Sequence, residues 1–304
     1  MTERVSTLPD ERALEAMAEQ LEASGAYRVL RAVPRAPRLR DVPDGARVGV
    51  YLDLETTGLD PAADAIIEIG LVRFAYDDGG VLGSLDDLAA FEDPGRPIPS
   101  EITTLTGIDD AMVAGRAIAD ERVHELVDGA HLVMAHNAGF DRPFAERRFP
   151  VLTGFPWACS LRDVAWREMG SYEGAGLSSL LMVHGYFFEG HRAVEDCYAG
   201  VHLLAQPLDG GGTVMTRMLR GARRTETRIW AVRSPFETKD RLRARGYRWN
   251  ATAKVWWCDV PTAELDGERA WLDAEIYAGR SPTLPTRAHD ARTRYSARLS
   301  DAPD

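Results

Sequence analysis

The stretch from Val48 to Leu59 sets Asp53 and Glu55 two residues apart at the end of an apolar run. Side chains alternate along an extended strand, so these two carboxylates share one face. Two such charges about 5 Å apart, at an effective dielectric near 20, repel by about 3 kcal/mol, so something positive is expected between them. A divalent cation answers that need; turn capping or pairing with arginines at a strand end answers it too. Asp141 closes a second group, His136, Asn137 and Phe140, where a short apolar strand runs into a helix. An acid in the first turn is favoured by the helix dipole, and alone it reads first as a plain helix-start carboxylate. The third group is His191 and Asp196, five residues apart. Five helical steps of about 100° would leave them about 140° apart, so they meet only if His191 precedes its helix and folds back over it.

Together these segments form a pattern. DLETTGL at 53–59, HNAGFD at 136–141 and HRAVED at 191–196 resemble, in order and spacing, the motifs of the DEDDh (DnaQ-like) 3′-to-5′ exonucleases, among them the epsilon proofreading subunits of bacterial DNA polymerase III. Ile66 to Gly70 resembles that family's second strand, and Pro99 to Ile108 its segment beside the terminal nucleotide, so the resemblance covers Val48 to Ala205. It implies an α/β fold, a ribonuclease-H-like mixed sheet flanked by helices. Carried over residue by residue, it implies Asp53, Glu55, Asp141 and Asp196 as metal ligands and His191 as general base. Four carboxylates in one pocket suit two hard divalent cations, Mg²⁺ or Mn²⁺, which take oxygen ligands. Such ions activate a water and offset charge on the departing 3′-oxygen, and the product is a 5′-mononucleotide.

By the same resemblance, Thr56 and Leu59 line the terminal-nucleotide pocket and Glu101 lies near the 3′-hydroxyl. His136, Asn137 and Phe140 pack around base and sugar, although Phe140 suits core packing equally and Asn137 would also brace its turn. Thr106 stands where the replicative subunits carry a histidine. The implied partner is DNA, through single-stranded 3′-ends, with RNA ends as the alternative and a DNA polymerase or repair enzyme as associate. A binding or docking protein whose nuclease body no longer turns over is the rival reading; the full set of acids and histidine argues against it.

These residues need elements to position them. Apolar patterning predicts strands over 48–55, 66–75, 85–92 and 131–136, and helices within 109–128 and over 139–148, 161–169, 177–185 and 193–205. An amphipathic helix over 9–24 with Gly25 as its stop, then Pro34, Pro37 and Pro43, makes residues 1–44 an appendage and linker to an exonuclease domain over 45–207. Pro207 and Gly210 to Gly212 predict a flexible linker over 208–224.

The net charge of −11 would discourage a nucleic-acid partner if it were evenly spread. From Arg217 to Val260, however, twelve basic residues face four acids, a local +8 that leaves the rest of the chain at −19. This basic segment reads as a small β-α-β-β module over 225–279: a strand at 228–232, a helix begun by Ser234, Pro235 and Glu237 and stopped at Gly246, then strands at 247–249 and 255–259. Basic residues interleaved with aromatics suit phosphate attraction plus base stacking, so Arg241, Arg243, Arg245, Arg248, Trp249 and Trp256 are candidate nucleic-acid contacts; docking of a protein, or a small fold's need for a core, explains the same residues. Residues 280–304 lack periodicity and read as a disordered tail. The composition, 45% hydrophobic and 27% charged, is that of a globular chain, with no membrane span, no secretory leader and three scattered cysteines that suggest reduced thiols in the cytoplasm.

Overall fold

Asp10 accepts the Ala13 N–H at 2.8 Å and so caps α1 (Glu11–Ala23). The computed structural model describes residues 10–303 apart from 170, 171 and 173, so the first nine residues of the expected appendage lie outside it. Arg31 pairs with Glu15 and Glu22 of α1, and β1 (Arg31–Ala32) lies against a later strand, which ties this segment to the nuclease body.

The central sheet begins with β2 (Arg47–Thr56), β3 (Ile66–Tyr76) and β4 (Val81–Phe91), an antiparallel meander. Three short helices follow, α2 (Ser100–Thr106), α3 (Asp110–Val113) and α4 (Asp120–Val127). Two strands parallel to β2 complete the sheet, β5 (Leu132–Ala135) and, after α5 (Ala138–Arg148), β6 (Trp157–Cys159). The spatial order β4-β3-β2-β5-β6 is the ribonuclease-H-like arrangement that the motifs imply. Beyond it lie α6 (Leu177–Val183), β7 (Tyr186–Phe187), which pairs with β1, and α7 (Ala193–Ala205). Of residues 161–169, expected as a helix, only Trp166–Met169 form a short 3₁₀ turn.

The alternation of β2 separates two cores. Val50, Leu52 and Leu54 pack with Ile69, Leu71, Phe144 and Trp157 on the α5 side, while Tyr51 packs with Val72, Phe74 and Val201 on the α7 side. Two glycines let α7 close onto the sheet. A Cβ on Gly70 would lie 2.2 Å from the Ala193 carbonyl carbon, and one on Gly200 would lie 2.2 Å from the Tyr51 ring. The linker expected over 208–224 is instead largely α8 (Val214–Ala222), capped by Thr213 and Thr216, with Val214, Met215, Met218, Leu219 and Ala222 buried in the α7-side core. The glycines before it form a left-handed turn, and the helical apolar pattern starts directly after them.

The C-terminal module is an antiparallel sheet with a covering helix. It contains β8 (Glu226–Ala231), α9 (Lys239–Ala244), β9 (Arg248–Asn250) and β10 (Val255–Pro261). These give the expected β-α-β-β order, though Ser234 does not cap α9: Phe236–Thr238 form a 3₁₀ turn into it, and the Thr238 hydroxyl donates to the Pro235 carbonyl at 2.7 Å. α10 (Leu265–Trp271) and β11 (Thr286–His289) follow, and the strand order is β11-β8-β10-β9.

β11 corrects the expected disordered tail, and so does the chain beyond it. The Trp157 N–H donates to the Ala291 carbonyl at 2.8 Å, at the outer edge of β6. Arg142, fully buried on α5, donates to the carbonyls of Ala291 at 3.0 Å and of Arg292 and Arg294 at 2.5 Å, and pairs with Glu146 at 2.7 Å. Arg294 is itself buried against Asp163 and Glu226. Tyr295 packs on the α5-side core, but most of the anchors of this segment are backbone carbonyls and arginines, which is why hydrophobic periodicity misses it. Replacing Arg142 by Met should therefore leave the Arg294 carbonyl without its donor, remove one of two donors from Glu146 and from the carbonyls of Ala291 and Arg292, and cost about 1.5–3 kcal/mol. Urea unfolding measures it; a loss below about 1 kcal/mol would mean that the segment is only draped over the domain.

Candidate active site

On β2 the α7-facing positions after Tyr51 are Asp53 and Glu55, at the end where the ladder with β3 shifts register between Glu55 and Thr56. α7 brings Asp196 to the same place. The carboxylate oxygens of Asp53, Glu55 and Asp196 lie within 4.8 Å of one another, an arrangement that fits a shared divalent cation. Asp141, buried in the first turn of α5, stands beside this trio rather than within it. Its charge is the chief repulsive influence on Asp53.

Burial and mutual repulsion act together on these acids. Burial first, then Asp141, Asp196 and Glu55, holds the Asp53 carboxyl well above the usual range. Burial does the same to Asp141, offset in part by backbone N–H groups of Asp141 and Leu54. Burial, with Asp196 and Glu68 behind it, pushes Glu55 up to about 8, and burial lifts Asp196 to about 6. Without a cation such a pocket favours protons, which is how a site built for positive charge behaves.

His191 is placed as its separation from Asp196 requires. It precedes α7, is exposed, and adopts the left-handed region with φ of 68°, which turns the chain back over the site. The Asp196 carboxylate accepts the Arg192 N–H at 3.2 Å, and the neighbouring His191 favours its ionised form.

A fifth carboxylate, absent from the sequence reading, completes the arrangement. Glu68 is the cross-strand partner of Glu55 and only 1% exposed. It accepts from Arg192 at 3.2 Å (Nε) and 3.0 Å (Nη2), and from the Ala193 N–H at 3.2 Å. It thus anchors the start of α7 and the residue that follows His191. The available signal was an acid inside the otherwise apolar strand from Ile66 to Leu71, a position that demands a partner.

The residues expected around a terminal nucleotide divide into two groups. Leu59 projects into solvent, 83% exposed; Glu101 is exposed on α2, and Asn137 and Phe140 flank the Asp141 turn. Phe140 also packs against Phe144, with ring centroids 5.2 Å apart. His136, by contrast, has both ring nitrogens engaged, Nδ1 with the Ser160 hydroxyl at 2.9 Å and Nε2 with the Ala175 carbonyl at 2.8 Å, and burial pushes its pKa down to about 4. It braces the site from behind. The buried Thr106 hydroxyl donates to the Ile102 carbonyl and accepts the Ile108 N–H, and the Thr56 hydroxyl donates to the Gly58 carbonyl, so both serve their own turns.

In the module, Arg241 and Arg245 are held by Glu275 and Glu268, and Trp256 lies in the module's core. Trp256 is thus part of the core, whereas Arg241, Arg243, Arg245, Arg248 and Trp249 are exposed.

Residues 50–204 match the exonuclease (RNase T) family. The chain belongs to the exonuclease family. Among its relatives, a PolC-type DNA polymerase III of Caldanaerobacter subterraneus is 33% identical over 169 residues, which are 53% of this chain and 11% of that protein. A DNA polymerase III subunit epsilon-like protein of Rhodobacter capsulatus is 42% identical over 114 residues, 36% of this chain and 16% of that protein. The chain thus spans only a small part of the curated relatives it matches. Among solved structures, exonuclease X in complex with 5′ overhanging duplex DNA is 26% identical, with a TM-score of 0.40, covering 52% of this chain and 89% of that one.

Two measurements probe this exonuclease pocket. Glu68→Gln keeps the shape but removes the charge that holds Arg192, so Mn²⁺ affinity measured by calorimetry should fall about 10–100-fold, as for other residues that orient metal ligands; an unchanged affinity would leave Glu68 a purely structural anchor. Between pH 4.5 and about 8, the ordinary and the raised pKa of Glu55, the folded protein keeps protons that the unfolded chain has released. Stability of the metal-free protein should accordingly fall as pH rises through that window, and Mg²⁺ should flatten the slope. Melting curves in EDTA that rise with pH there would contradict the burial of these acids.

Proposed function

We propose that the protein is a metal-dependent 3′-to-5′ exonuclease that releases 5′-mononucleotides from single-stranded DNA ends. The observation that carries this reading is the half-buried trio of Asp53, Glu55 and Asp196 within 4.8 Å of one another. Asp141 stands beside it and His191 on its left-handed turn above it. The four aspartate and glutamate side chains would hold two divalent cations, Mg²⁺ or Mn²⁺. When bound, these would supply Lewis-acid activation of a water and compensation of the charge on the leaving oxygen. His191 takes the proton of that water at an imidazole nitrogen as the water oxygen attacks phosphorus. The bond from phosphorus to the 3′-oxygen then breaks with its electron pair on that oxygen, which takes a proton from solvent to become the 3′-hydroxyl of the shortened strand. Leu59 offers an apolar surface for the terminal base, and Glu101, Asn137 and Phe140 border the same space.

The likeness to segments of PolC-type polymerases and to an epsilon-like protein supports DNA ends as substrate, and a polymerase or repair enzyme as partner. Among the described residues, no helix is long and apolar enough to cross a membrane.

Digestion of 5′-labelled single-stranded DNA and of its RNA counterpart, with Mg²⁺, Mn²⁺ or EDTA, tests the reading. A metal-dependent ladder shortening from the 3′-end, absent from Asp53→Ala protein, is expected, with DNA the faster substrate. Activity that survives Asp53→Ala would overturn the site assignment, and a ladder on RNA alone would overturn the substrate.

A further inference from the structure

The module carries two aromatic side chains that its fold leaves in solvent: Phe236 is 78% exposed and Trp249 is 49% exposed. Cations link them. Lys239 and Arg243, four residues apart on α9, lie on one face of that helix. The Lys239 Nζ stands 4.2 Å from the Phe236 ring centroid, the Arg243 guanidinium 6.0 Å from that of Trp256, and Trp256 lies 5.4 Å from Trp249. Phe236, Lys239, Arg243, the supporting Trp256 and Trp249 therefore form a continuous strip.

The charge around the strip opposes that of the whole chain. Between Arg233 and Lys254 there are seven cations and two acids, in a protein of net charge −11. Arg245 is paired with the buried Glu268, while Arg241 meets Glu275 only in an exposed pair at 3.5 Å. Arg233, Lys239 and Lys254 have no carboxylate partner among the described residues, and Arg243 meets only Asp240, in an exposed pair at 3.1 Å that salt screens and a phosphate can replace.

We propose that this strip is a platform for single-stranded nucleic acid, with Phe236 and Trp249 stacking bases and Lys239 and Arg243 contacting the phosphates between them. Exposed rings recognise base faces, which a duplex hides inside its stack and a single strand presents; an acidic peptide would use the cations but leave the rings idle. The platform shares no residue with the carboxylate pocket. Its role, holding the strand whose 3′-end is trimmed, rests on the exonuclease reading, whereas the binding itself does not.

The test uses the full chain with Asp53→Ala, so that bound strands survive, and fluorescence anisotropy of labelled dT20, U20 and a 20-base-pair duplex. Phe236→Ala with Trp249→Ala should weaken single-strand binding at least tenfold, the size of one lost stacked base, and the arm showing the loss identifies the strand as DNA or RNA. Lys239→Gln with Arg243→Gln should reduce the slope of log affinity against log salt by about one to two. Both replaced pairs are exposed, and circular dichroism checks that the variants fold. Single-strand affinity unchanged in both variants would overturn the platform, as would a loss confined to the duplex. Hydrolysis of a thymidine 5′-monophosphate p-nitrophenyl ester, which fills only the pocket, is measured in the same replacements made without Asp53→Ala and should not change. Failure of that hydrolysis in the unaltered protein would count against the nuclease reading alone, while a fall caused by the platform replacements would overturn the separation of the two sites.

Discussion

The repulsion among buried carboxylates governs this protein. Asp53, Glu55, Asp141 and Asp196 are drawn together at one end of β2, and Glu68 stands next to them on β3. No fold gathers five such groups for stability, so the surrounding structure has to hold them against their tendency to separate. β2 does so by alternation, with its apolar residues locked into the core on the opposite face. α7 does so by proximity, since Gly70 and Gly200 let its backbone rest on the sheet. Arg192 is tied to Glu68 at the rim rather than placed among the three oxygens. That leaves the centre of the pocket for a cation from solution.

Much of this was legible in the sequence, for reasons that can be named. The period-2 run through Asp53 and Glu55 fixes their common face, and α7 occupies the predicted span from Ala193 to Ala205 because its apolar residues recur at helical spacing. The necessity that His191 precede its helix followed from an angle alone, and the chain meets it with a left-handed residue. What was hidden is polar and long-range. Glu68 and Arg192 lie 124 residues apart, and neither has meaning without the other. His136 reads as a substrate contact through its motif, but both its ring nitrogens are taken by a hydroxyl and a carbonyl contributed by Ser160 and Ala175. α8 was masked by the three glycines before it, whose turn propensity drew attention from the apolar pattern beyond.

The same preference for polar, distributed contacts explains how the two halves of the chain are joined. The protein has 34 arginines and two lysines. A planar guanidinium can donate five hydrogen bonds in fixed directions, which an ammonium cannot. Arg142, Arg228 and Arg294 use much of that capacity, each collecting several carbonyl or carboxylate oxygens from distant segments. Arg228 lies 3.7 Å over the Trp257 ring while it binds Asp259 and Asp301, so one side chain joins β8, β10 and the segment after β11. Such nodes need no apolar stripe and leave little trace in hydropathy.

Arg142 also imposes an order on how the molecule comes into being. It sits on the helix that carries Asp141, and the carbonyls it needs belong to residues 149 to 152 positions later in the chain. At about 5–20 residues per second, a ribosome delivers them roughly 7–30 s after Arg142 itself. During that interval the nuclease sheet is complete in sequence, yet α5 holds a guanidinium with much of its hydrogen bonding unmet. The carbonyl contacts that bury Arg142 can therefore form only once the module and the segment after β11 have been made, so this join between the two halves closes after the sheet it rests on has been synthesised.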